Sequence, residues 1–105
     1  MSMNDDIKRF PVYALSQQGL VPIEIYSTED YNHITHQLHH FIRQGAYNGN
    51  EQWYKTRGIE QKLILMPVWV HNELHGMKYT DEEFEEKIGV SRWELLFNRR
   101  YSKYD

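Results

Sequence analysis

The sequence predicts a small α+β domain: an antiparallel sheet of about four strands, one long helix, and two short helices at the C-terminal end, in the order ββαββαα. Three observations predict it. Residues 21–25 alternate apolar and polar with the period of two that marks a half-buried strand. Tyr31, Ile34, Leu38, Phe41 and Ile42 recur at helical spacing. Thr80 and Ser91 each precede a glutamate by three positions, the pattern of a helix-opening capping box. At 105 residues with 40% apolar content the chain has material for one core and no room for two, so residues 1–105 are expected to form a single domain.

Taken in order, residues 7–15 and 21–26 flank the glycine-containing SQQGL and read as a β-hairpin. Pro11 and Pro22 assign them to strand ends or a sheet edge, because proline cannot donate to the ladder. STED at 27–30 supplies a helix start, residues 31–42 the long amphipathic helix, and Gly45 its stop. Residues 52–56 suggest a short strand. The run QKLILMPVWV at 61–70 is apolar on both faces, as a central buried strand is, with a bulge or break at Pro67. Gly89 separates the last two helices.

Composition excludes several functions. Without cysteine there is no disulfide framework, thiolate zinc site or cysteine nucleophile. A net charge of −3 favours neither coating nor mimicking a nucleic acid. The N-terminal residues lack a signal-peptide pattern, and the longest apolar run, 63–70, is too short to span a bilayer, so a cytoplasmic protein with no membrane partner is expected. There is no glycine-rich phosphate cradle, nucleophile elbow or paired acids poised for proton transfer, and enzymatic activity is not expected.

Histidine is the distinctive residue. HITHQLHHFI at 33–42 holds four of the six. On a helix His33, His36 and His40 share a stripe away from the apolar arc, with His39 elsewhere, and His36 and His40 sit one turn apart, a spacing that can bring two imidazoles to one metal. HNELH at 71–75 is the second cluster. As a strand it would put His71, Glu73 and His75 on one face; as a helix it would turn Glu73 away from both histidines. Either cluster makes zinc the one cofactor to consider. The competing expectation is solvated polar surface.

The segment TDEEFEEKIGVSRWELLFNRR at 80–100 resembles the helix-turn-helix of DNA-binding proteins. Phe84, Ile88, Gly89, Val90, Ser91 and Leu95 match its apolar–glycine–apolar–polar turn. The resemblance implies a nucleic-acid partner contacted by Arg92, Trp93 and Arg99, with Lys103 on the same basic stripe. The leading expectation is nevertheless a non-enzymatic inhibitor, adaptor or regulatory protein that works by contact with another protein. It rests on eight tyrosines and three tryptophans beside arginines, residues that anchor interfaces, and it selects Trp53, Tyr54, Arg99, Arg100, Tyr101 and Tyr104.

Overall fold

The computed structural model describes residues 3–76 and 78–96. The chain opens with helix α1 (Met3–Arg9), which carries Asp5 and Asp6 in its first turn and Lys8 and Arg9 in its last, as the helix dipole favours. The expected hairpin forms within narrower and shifted bounds, as β1 (Val12–Ser16) and β2 (Gly19–Pro22): residues 7–9, expected to be extended, belong to α1, and residues 23–26 lie beyond the end of β2. Gly19 has φ 101°, a conformation that glycine reaches without steric cost, and Ser16 Oγ donates to its carbonyl.

The long helix expected at 31–42 is not formed. Ser27 does cap a helical start, accepting from the Glu29 amide while Asp30 accepts from the amides of Tyr26 and Ser27. That start closes only the 3₁₀ turn Thr28–Asp30, because Tyr31 is extended at φ −145°. Residues His36–His40 are strand β3. The i, i+4 apolar spacing through Ile34, Leu38 and Ile42 also satisfies a period of two. Pairing with a buried strand decided between them, leaving Ile34 87% exposed. Residues 52–56 are helical rather than extended: α2 (Gln44–Tyr47) and α3 (Glu51–Lys55) fold Tyr47 and Tyr54 onto Ile42.

The run at 61–70 divides at its proline. Strand β4 (Leu63–Pro67) is central and buried, and α4 (Val68–Gly76) begins at the next residue, where Val68 N–H donates to the Thr35 carbonyl. The C-terminal pair is α5 (Asp81–Ile88) and α6 (Arg92–Leu95), and the cap hydroxyls of Thr80 and Ser91 accept from the amides of Glu83 and Glu94. Gly89 ends α5 in the left-handed region at φ 94°.

The sheet order is β2-β1-β4-β3. Both outer pairs are antiparallel, but β1 and β4 run parallel, with Val12 opposite Leu63 and Ala14 opposite Leu65. The sheet is therefore mixed, not antiparallel throughout. A parallel neighbour requires a crossover, and residues 23–62 provide it. One face carries Ile64 and Met66 under Val70, Leu74, Phe84, Val90, Leu95 and Leu96 from α4, α5 and the α6 segment. The other carries Val12, Leu38 and Leu63 under Ile7 of α1. Buried Gln61 finishes the β3 edge of this ladder, accepting from the Ile42 amide at 2.8 Å and donating to its carbonyl at 2.7 Å. Among the described residues no helix is long and apolar enough to cross a membrane.

Candidate metal centre

Strand parity determines which histidine of β3 meets the helices. His39 lies opposite Ile64 in register and so shares the face covered by α4, whereas His36, Leu38 and His40 point to the other face. Because α4 leaves β4 immediately after Pro67, it lies over β3 and β4. His71 and His75, four apart on that helix, fall on one side of it. Three rings from two elements therefore converge. The His71 and His75 centroids are 4.8 Å apart, and His39 lies 5.6 Å from His71 and 5.5 Å from His75.

One ring nitrogen from each histidine lies within 4.8 Å of the other two. Nitrogens on a tetrahedral zinc at ~2.0–2.1 Å would stand about 3.3 Å apart, so small side-chain rotations would complete a three-histidine set. The cluster grades from buried His39 through half-buried His71 to exposed His75, which opens the centre to solvent on the His75 side.

His39 is oriented for ligation. Its Nε2 lies 2.7 Å from the Leu95 carbonyl, and because a carbonyl only accepts, Nε2 carries the hydrogen and Nδ1 keeps the lone pair. A ligating histidine held through its second nitrogen is the usual supporting arrangement in metal sites. Burial pushes the His39 imidazole down to about 4 against the opposing Leu95 hydrogen bond, with smaller contributions from His71, His75 and His40. His71 is also lowered, by burial first and then by His75. Both are therefore disposed to be neutral, the form that binds metal.

The same shift makes metal-free stability depend on pH. The unfolded chain takes this proton near 6.5 and the folded chain only near 4, so the unfolded state is favoured as pH falls through that window. Between pH 7 and 4.5 the group should cost ~2–3 kcal/mol, and His39→Gln should show a correspondingly smaller loss in urea unfolding. An unchanged pH dependence in the variant would overturn the assignment.

The other expected site residues are placed differently. His36 Nδ1 contacts Thr35 Oγ1 at 2.8 Å, and His40 donates to buried Asp6 at 3.0 Å, tying β3 to α1. His33 stacks on Tyr31 and meets the Thr28 carbonyl. Neither His36 nor His40 belongs to the cluster. Glu73 is turned away on α4, as the helical reading of HNELH expects. Its carbonyl accepts from Arg92, while its Oε2 is buried with no hydrogen-bond partner among the described residues.

Arg92 itself is 1% exposed, lies over the Phe84 ring at 4.5 Å and donates to Asp81 at 3.1 Å. It has no surface to offer a phosphate in this conformation, whereas Trp93 is partly exposed beside Lys62. Trp53 packs beneath the Arg57 guanidinium at 3.9 Å, and Tyr54 is fully buried against it and Tyr47. Arg99, Arg100, Tyr101, Lys103 and Tyr104 lie outside the described residues. The sequence reading missed His39. The signal available was HxxxH beginning four residues after Pro67, which makes sense as a helical pair once the strand ends there.

The chain matches no family model, and no curated protein or solved structure is significantly similar to it. The functional reading therefore comes from the geometry of the chain itself.

Proposed function

We propose that this protein binds a divalent transition metal, zinc foremost, through His39, His71 and His75. The observation that carries the reading is the convergence of their ring nitrogens from a strand and a helix far apart in sequence. Imidazole suits zinc, copper, iron and nickel, and three protein nitrogens with a solvent-facing side match the coordination of zinc sites that keep one position for a non-protein ligand. Protein purified without a histidine tag and stripped with chelator should take up one equivalent of zinc in a calorimetric titration. His75→Ala should lose that uptake while His36→Ala keeps it. No uptake by the wild type, or full uptake by His39→Ala, His71→Ala and His75→Ala alike, would refute the assignment.

Contact with another protein is the second reading, and one observation favours it. Trp69 on α4 is 56% exposed, and a large indole in water is the kind of side chain that anchors an interface. The cysteine-free composition suits the reducing cytoplasm, where we place the protein.

A further inference from the structure

Lys62 differs from the other described lysines in its surroundings. Lys8, Lys55, Lys78 and Lys87 are exposed, whereas Lys62 is half-buried. Its place follows from the sheet. Phe41 N–H donates to the Lys62 carbonyl at 3.0 Å, one residue before β4 begins, and side chains directly opposite in an antiparallel pair leave on the same side. The parity that sends Leu63 towards α1 sends Lys62, with Phe41 and Tyr13, to the face that carries Ile64 and α6. The Lys62 Nζ lies 4.4 Å from the Phe41 ring centroid and 5.5 Å from that of Tyr13. Trp93 of α6 and Ile59 line the same pocket of about 390 Å³.

Among the described residues no carboxylate forms an ion pair with Lys62, and two ring faces hold its ammonium instead, a weaker hold than a carboxylate's. Burial lowers its pKa from the ordinary lysine value, against the opposing charge of Glu94. A lysine desolvated in an apolar pocket is the form in which this side chain acts as a nucleophile. The walls also define the ligand. Three aromatic rings favour a planar aromatic body, while Glu60 in the lining and Glu94 nearby disfavour an anion. A neutral aromatic aldehyde meets both conditions and presents an electrophilic carbon to the amine.

We propose that Lys62 is a reactive amine that forms an imine with a small aromatic aldehyde seated against Trp93 and Phe41. The nitrogen lone pair adds to the carbonyl carbon. The two hydrogens of the neutral amine then leave with the carbonyl oxygen as water, and a carbon–nitrogen double bond remains, with no oxidant or reductant consumed. This site is independent of the histidine centre. The test is reductive trapping of the full chain with benzaldehyde and cyanoborohydride, the benzylated lysines being mapped by mass spectrometry. Lys62 should react several-fold faster than Lys8, Lys55, Lys78 or Lys87 despite its lower exposure. Trp93→Ala should slow Lys62 several-fold and leave the other four unchanged, and acetaldehyde, which lacks the ring, should show a smaller preference for Lys62. Benzylation of Lys62 no faster than that of the exposed lysines would overturn the proposal. A preference that survives both Trp93→Ala and the change to acetaldehyde would overturn it as well.

Discussion

Arg92→Ala should lower folding stability by about 2–5 kcal/mol, the range seen when a large buried side chain is truncated and its volume is left unfilled. The side chain is enclosed by the Phe84 ring, the Asp81 carboxylate and the Glu73 carbonyl, and its Nε is buried with no hydrogen-bond partner among the described residues. Truncation would leave a cavity beneath α5 and remove the donor to the Glu73 backbone carbonyl. Arg92→Met should recover most of the loss. It refills the volume and removes a desolvated charge whose pairing is incomplete, and Asp81 can be solvated from its exposed side. Urea unfolding of the three proteins measures both effects. If Arg92→Ala costs less than about 1 kcal/mol, as surface ion pairs do, the guanidinium is solvated in solution. The position matters for function as well, since the helix-turn-helix resemblance assigned this arginine to DNA and the fold uses it to brace α4 against α5.

Zinc should raise stability by about 4 kcal/mol when free metal exceeds its dissociation constant a thousandfold, because the unfolded chain does not hold the three imidazoles together. The increase appears as a higher Tm that EDTA reverses. His75→Ala should abolish this response yet melt close to the wild type in EDTA, since His75 is exposed and contributes little to packing. His39→Ala is the less informative variant, because it also removes a buried ring and its hydrogen bond to Leu95. Equal zinc stabilisation of wild type and His75→Ala would place the metal elsewhere.

Features with local causes were legible in the sequence. The glycine turn marked the β1–β2 hairpin, although the alternating stretch 21–25 enters the sheet only through Val21 and Pro22; unbroken apolarity marked β4 as an interior strand, and Thr80, Gly89 and Ser91 set the ends of α5 and the start of α6. The failure at 31–42 has a definite cause. Helical and extended periodicities coincide when apolar residues fall four apart, and only the partner strand decides between them. The candidate centre inherited that ambiguity. His71 and His75 were visible as a pair, but finding the third histidine required the parity of a strand that was read as a helix. On a helix His39 falls away from the polar stripe; on β3 it is the histidine that points beneath α4. The parallel pairing of β1 with β4 left no local trace, because both strands meet only through the crossover.

The position of β4 has a kinetic consequence. Among the described residues it is the last strand along the chain, and it is one of the two interior strands, hydrogen-bonded to β1 on one side and β3 on the other. Until it is in place, the hairpin and β3 have no common neighbour. Closing the sheet requires contacts of long sequence separation, which slows folding relative to a helical domain of this size. The same segment leads directly into α4, so sheet closure and the delivery of His71 and His75 to His39 belong to one event.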